Sequence, residues 1–199
     1  MIQGERLDAI IAKMTEEYIA RNRAAGIVRG LLDEIGVGFS PVVDHLTIRT
    51  ENIDARAQEF VSLGYTFSET LNFDDWYAKV YRCTGYPALF VDQAYPDERG
   101  KTSIIPSWVK QFGDRMFHHL AIRVQDIEVA IARLKARGVV FVGDIVGPRG
   151  GNLRQIFTAP ELVDGHPFSV LELAERHQGY QGFLPPQADS LMRATAQRS

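Results

Sequence analysis

Residues 43–49 read VDHLTIR, and residues 117–123 read FHHLAIR. The string His-Leu-x-Ile-Arg therefore occurs twice, 74 positions apart. One histidine at the head of an apolar run is ordinarily a half-buried residue with a hydrogen bond. Two in the same register ask for a common cause. Sliding residues 45–67 onto 119–141 matches His45 with His119, Leu46 with Leu120, Ile48 with Ile122 and Arg49 with Arg123; Ile53, Gly64 and Phe67 meet Ile127, Gly138 and Phe141. Seven identities in 23 positions exceed the roughly one or two that background usage supplies. The chain carries an internal duplication of two copies, a pseudo-twofold pair and not a solenoid.

Working outward, each copy shows the same order of elements. VVDHLTIRT alternates and is rich in β-branched residues, which predicts a strand. ENIDARAQEFVSLG predicts a helix with Asn52 as N-cap and Gly64 as its stop. YTFSETL, WYAKVYRC and ALFVDQA predict three further strands. In the second copy FHHLAIRV, DIEVAIARLKARG, VVFVGDIV, NLRQIFTA and FSVLELAER repeat the series. The fold class expected is α+β, with two paired β-α-β-β-β modules around a shared cavity. The modules span 41–95 and 117–176, joined by a connection over 96–116 with one short helix around Trp108. Residues 1–40 read as an N-terminal helical extension, broken into two helices in the region weakened by Gly26 and Gly30. Residues 177–199 form a tail in which Ala188–Gln197 has the pattern of a short helix.

The register selects among the histidines. Only His119 matches His45; His118 has the opposite strand parity and points to the other face. If the first strands of the two modules lie side by side, His45 and His119 enter one cavity, and two facing imidazoles suit a divalent metal. The third ligand expected is Glu172, a carboxylate inside the apolar strand FSVLELAER, costly there unless paired or metal-bound. Aligning the apolar runs of the last strands puts Val91 opposite Glu172, or Asp92 if the alignment slips by one residue. Val91 leaves a two-histidine, one-carboxylate set with open positions, whereas Asp92 adds a fourth donor. Gln155 shares parity with Leu153 and Phe157 and is a candidate catalytic and substrate-binding amide. Tyr81, taken as its counterpart in the first module, and Lys79 on the same face are further substrate-binding candidates. Arg49 and Arg123, four residues after each histidine, read as structural residues that pair with carboxylates at the module junction.

At these residues the chain resembles the vicinal-oxygen-chelate superfamily, also called the glyoxalase/bleomycin resistance/dioxygenase superfamily. DHLTIR, HHLAIR and SVLELAER carry the resemblance. It implies paired modules holding a divalent metal through His45, His119 and Glu172. The second half is most similar to 4-hydroxyphenylpyruvate dioxygenase, over LRQIFTAP (153–160), FSVLELAER (168–176) and GYQGF (179–183). That likeness implies Glu172 as an iron ligand, Gln155 as a substrate-facing amide and Phe183 near the cavity mouth. The chain departs from that family in having no second pair of modules and in reading GFLPPQAD where the family has a glycine-rich closing motif. The activity implied is a mononuclear Fe(II) dioxygenase acting on a 2-oxo acid or related aromatic acid. The alternative is a glyoxalase-type isomerase or lyase using Zn, Ni, Co or Mn without O2.

Composition narrows the field. A formal net charge of −3 with scattered basic residues argues against a nucleic-acid partner. No apolar run approaches the roughly 20 residues that span a bilayer, and the N-terminus lacks the apolar core of a signal peptide. A lone cysteine, Cys83, excludes an internal disulfide. The expectation is a cytoplasmic enzyme whose partner is a small organic acid. Its helical extension either covers one cavity mouth or builds a homodimer interface. Gly147-Pro-Arg-Gly-Gly151 lacks the spacing of a phosphate cradle.

Overall fold

A computed structural model of the chain describes residues 3–184 and Leu191. Within them lie five α-helices and nine strands, a mixed α+β fold built from two β-α-β-β-β modules. The chain divides into two compact units, one of residues 1–18 and 45–118, the other of residues 19–44 and 119–199. The N-terminal helical residues thus form no body of their own and are shared between the units. The terminal helix expected over 188–197 falls outside the described residues, apart from Leu191. No helix among them is long and apolar enough to cross a membrane.

Helix α1 spans Gln3–Arg21 and α2 spans Arg23–Glu34. The break falls at Asn22, not at Gly26 or Gly30 as the glycine positions predict. Asn22 adopts an extended ψ of 108°, its side-chain oxygen accepts from the Ala25 N–H, and its amide donates to Ser169 Oγ at 3.0 Å. A buried cap with two satisfied groups outweighs the weak helix propensity of two glycines.

In the first unit, β1 (Val43–Arg49, whose first two residues belong to the second unit) is followed by α3 (Ile53–Val61), β2 (Thr66–Asn72), β3 (Trp76–Arg82) and β4 (Ala88–Ala94). Helix α4 (Ile105–Phe112) ends the unit's regular structure and carries Trp108, as expected. The strand order is β2-β3-β4-β1, with β4 parallel to β1. A parallel pair buried on both sides explains the nearly continuous apolar reading of ALFVDQA. Asn52 caps α3 by accepting from the Ala55 N–H, as predicted. Leu46, Ile48, Leu89 and Val91 are fully buried on the sheet face where α3 packs, together with Phe60.

The second unit repeats the scheme. β5 (His119–Val124) is followed by α5 (Ile127–Lys135), β6 (Phe141–Val146), β7 (Leu153–Thr158), a short extra strand β8 (Glu161–Val163) and β9 (His166–Arg176). The order is β5-β9-β7-β6, with β8 paired to β9. Gly64 and Gly138, matched in the duplication, follow α3 and α5 at φ of 112° and 81°. Both copies need the left-handed backbone that glycine adopts without steric cost.

Candidate metal centre

The second unit holds the first part of the site. β5 and β9 pair in parallel, His119 with Val170 and Ala121 with Glu172, so alternation puts His119 and Glu172 on one sheet face. Both are buried, and His119 Nε2 lies 3.4 Å from Glu172 Oε2. That is longer than the roughly 2.7–3.2 Å of a good hydrogen bond. It matches the roughly 3–3.4 Å between two donors that each sit about 2.1 Å from one ion. From β7, Phe157 faces Glu172 and Gln155 faces Ala174. The Gln155 amide donates to Glu172 Oε1 in a short contact, and the Phe157 ring lies 5.1 Å from the His119 ring. Gln155 thus lies on the expected face, with its N–H directed at the carboxylate. Leu191 packs with Val142, Phe157 and Val170, closing the apolar side of this group.

Farther along the same face, Arg176 follows Glu172 by four residues. Its Nε and Nη2 donate to Asp44 Oδ2 and Oδ1 at 2.7 and 2.8 Å, and Arg123 donates to Asp44 Oδ2 at 2.9 Å. Arg123 therefore pairs with a carboxylate, the role its position predicted. Phe183, expected at a cavity mouth, is half-buried with its ring 4.7 Å from the Arg176 guanidinium. Asp44 escaped the sequence reading, although a charged residue directly before His45 was visible as the pair DH.

In the first unit, His45 is 3% exposed and heads the face that includes Thr47 and Arg49. β4 contributes Ala88, Phe90 and Asp92 to this face through register with those three residues. β3 adds Val80, Ala78 and Trp76 opposite Phe90, Asp92 and Ala94. The residue matching Glu172 is therefore Phe90, because Glu172 pairs with Ala121 and Phe90 with its duplicate Thr47. Neither Val91 nor Asp92 holds that position. The apolar runs misled because they differ in length on either side of the register point. Phe90 packs on His45 at 5.0 Å between ring centroids, the place that Glu172 occupies beside His119.

The same register makes Ala78, not Tyr81, the counterpart of Gln155. Lys79 pairs with Val91 and Tyr81 with Leu89, so both project to the face opposite His45. There Lys79 forms an ion pair with Asp54 of α3, and the Tyr81 ring meets Phe67 at 5.9 Å. His118, set aside by parity, packs edge-on against Trp108 at 5.5 Å while its N–H donates to the Thr47 carbonyl at 2.8 Å.

Two charges lie on the His45 face. Arg49 and Asp92 are strand partners, 2% exposed each. Burial lowers the Arg49 guanidinium to about 10, with Asp92 acting the other way. Burial pushes the Asp92 carboxyl up to about 7, although the charges of Arg49 and His45 pull it down. The Arg49 guanidinium also lies 5.5 Å from the Trp108 ring centroid.

A second acidic group, Asp126, Glu128 and Glu175, has its oxygens within 4.8 Å of one another. Arg154 and Arg149 already neutralise it, and the Arg154 hydrogen bond leads in holding the Glu128 carboxyl at about 2. It is an ion-pair network at the start of α5. His177 joins it through Glu175 at 2.6 Å.

Residues 44–157 match the family model described as glyoxalase/bleomycin resistance protein/dioxygenase superfamily. The chain belongs to this superfamily. The match ends before Glu172, so the carboxylate rests on the register of β9 alone. The superfamily comprises metal-dependent enzymes, among them dioxygenases, glyoxalases and epimerases. Similar solved structures include the hydroxyglutarate synthase of Oryza sativa in complex with 2-oxoadipate. It is 18% identical over 97% of this chain and 93% of that one, with a TM-score of 0.79. A mutant 4-hydroxymandelate synthase of Streptomyces coelicolor is 18% identical over 82% of this chain and 57% of its own, at 0.65. Methylmalonyl-CoA epimerase of Mycobacterium tuberculosis is 21% identical over 69% and 89%, at 0.52. At these identities the likeness is one of fold. No curated protein sequence matches the chain.

Proposed function

We propose that the protein is a mononuclear Fe(II) oxygenase acting on a 2-oxo acid, with His45, His119 and Glu172 as the metal ligands. The observation that carries this reading is Phe90 at the duplicate position of Glu172, which leaves one carboxylate instead of two. The donor set of two imidazoles and one carboxylate suits ferrous iron with open positions. Support for including His45 comes from its covalent neighbours. Asp44, bonded to His45, is clamped by Arg123 and Arg176. His118, bonded to His119, donates to Thr47, two residues beyond His45.

Iron bound there would supply Lewis acidity and a site for O2. The protein's own residues do the rest. Gln155 holds Glu172 through Oε1, fixing the orientation of the carboxylate. Phe90 and Phe157 pack on the two imidazoles and keep water from their faces. In the overall reaction the 2-oxo acid loses C1 as CO2. One atom of O2 enters the new carboxylate, and the other is delivered to the organic substrate.

A second reading, a metal-dependent isomerase or lyase, draws on the buried Asp92 carboxylate on the His45 face, where it would serve as the base. Anaerobic purification, metal quantification and O2 consumption with a panel of 2-oxo acids separate the two. Uptake of O2 coupled to CO2 release supports the oxygenase, and none across the panel with iron fully loaded overturns it. His45→Ala is expected to abolish stoichiometric iron; full retention would refute the ligand assignment.

A further inference from the structure

Glu172 stands where its strand loses a neighbour. The β7–β9 ladder runs in register from Leu153–Arg176 to Phe157–Glu172 and stops there. The next pair in that register, Thr158 with Leu171, lies outside the ladder. Beyond it the chain follows its other neighbour, and Ala159 donates its N–H to the Val140 carbonyl at 2.7 Å. Pro160 has no N–H to give, and pairing with β9 resumes at Glu161–Ser169. The other unit shows the unbroken form. The register that matches Gln155 with Ala78 and Glu172 with Phe90 also matches Thr158 with Tyr81 and Leu171 with Leu89, and Tyr81–Leu89 belongs to the β3–β4 ladder. The gap is confined to the copy that carries the carboxylate. Within it the Leu171 N–H, in a fully buried residue, donates to Thr158 Oγ1 at 3.0 Å. A side-chain oxygen thus replaces the backbone carbonyl of a regular ladder.

We propose that Thr158 is a positioning residue for Glu172, acting through the Leu171 N–H. This rests on the assignment of Glu172 as a metal ligand above. Leu171 is bonded to Glu172, so the direction of its N–H sets the backbone from which the carboxylate side chain leaves. A ligand group has to be held within roughly 0.5 Å of its productive place. Gln155 holds the carboxylate at its far end through Oε1, and Thr158 holds the backbone at its root. Packing alone does not fix this turn: Thr158, Pro160 and Glu161 border a cleft of about 150 Å³ together with Arg23, Gly138 and Val140. Thr158 has the opposite parity to Phe157, so it acts from the sheet face away from His119 and adds no donor to the metal's surroundings. A valine of the same shape would leave a buried N–H without its acceptor, and the peptide would turn to find another.

The test loads the metal-free protein with Co(II), whose visible bands report the arrangement of its ligands, and measures affinity by chelator competition. Thr158→Val is expected to weaken Co(II) binding roughly tenfold or more and to shift the bands at saturation. Thr158→Ser keeps the hydroxyl and is expected to restore the wild-type bands, with affinity within about threefold of wild type. Thr158→Ala also removes the hydroxyl and carries the test if the valine variant fails to fold. Urea unfolding of each metal-free variant is measured alongside. A purely structural role would lower the unfolding midpoint while the folded protein kept wild-type affinity and bands, and that result overturns the inference. A serine variant as weak as the valine or alanine variant overturns it too. Glu172→Ala separates this inference from the reading beneath it. If that variant binds Co(II) as tightly as wild type, the ligand assignment falls and the inference with it. If it loses the metal while the Thr158 variants keep wild-type affinity and bands, the positioning role alone falls.

Discussion

Replacing Asp44 by alanine tests how the residue beside His45 is held. The carboxylate is 1% exposed and takes two hydrogen bonds from Arg176, whose side chain is 4% exposed. Arg123 adds two more, from Nε at 3.2 Å and Nη2 at 2.9 Å, through a side chain that is 50% exposed. Removing the acid leaves the Arg176 cation buried with carbonyl partners at Gly182 and Tyr180. Breaking a buried pair in this way costs about 3–5 kcal/mol, because the remaining charge is uncompensated. The solvent-exposed arm to Arg123 is worth less than about 1 kcal/mol, so Arg123→Ala is the control. Urea unfolding of the metal-free protein measures both, with unchanged m-values showing that only stability has moved. The expected order is Asp44→Ala far below Arg123→Ala and wild type. An Asp44→Ala protein within about 1 kcal/mol of wild type would show that the clamp is not holding the start of β1.

Other perturbations separate positioning from stability. Gln155→Leu removes the donor to Glu172 Oε1 and is expected to lower metal affinity roughly 10–100-fold in chelator competition; unchanged affinity would deny Gln155 its positioning role. Asp92→Asn isolates a buried carboxyl raised from 3.8 to about 7. Between those values the unfolded chain is ionised while the folded one keeps its proton, so wild-type stability falls as pH rises and levels off above about 7. The linkage amounts to something on the order of 4 kcal/mol. The asparagine variant should therefore gain on wild type from pH 5 to pH 8 in thermal melts, and a pH-independent difference would contradict the shift. Asn22→Ala should cost about 2–3 kcal/mol, losing a cap and leaving Ser169 with one bond fewer. Gly30→Ala, with nothing within 4 Å of the added carbon, should instead stabilise by about 0.5–1 kcal/mol in the same denaturation assay.

The fold was legible wherever the two copies agree. His45 and His119 lie on the first strand of each copy, Ile53 and Ile127 start the following helix, and Gly64 and Gly138 mark the turn after it. Glu172 was legible because a carboxylate within an apolar strand demands a partner. The register of β4 was not. ALFVDQA is buried on both faces, so it lacks the alternation that fixes register in a half-exposed strand. That ambiguity hid Phe90; Tyr81 and Lys79 were misplaced because the 74-residue offset of the repeat does not hold at β3 and β7, where it is 77. The break at Asn22 was missed for a different reason. Its capping bond is local, but its second bond reaches Ser169, 147 residues away, where no sequence window extends.

The two copies differ in polarity at matched positions of their histidine-bearing faces. Matched positions at which one unit is polar and the other is not include Glu172 against Phe90, Gln155 against Ala78, and Ala174 against Asp92. Had both copies kept the carboxylate, each histidine would face an acid of its own unit. Phe90 instead gives His45 an apolar neighbour, which leaves its imidazole no carboxylate at that position to bind. Moving the acid two residues along β4 to Asp92 keeps a negative group on the same face but out of the duplicate ligand position. There it is the strand partner of Arg49, and burial pushes its carboxyl up to about 7 against the pull of the Arg49 and His45 charges.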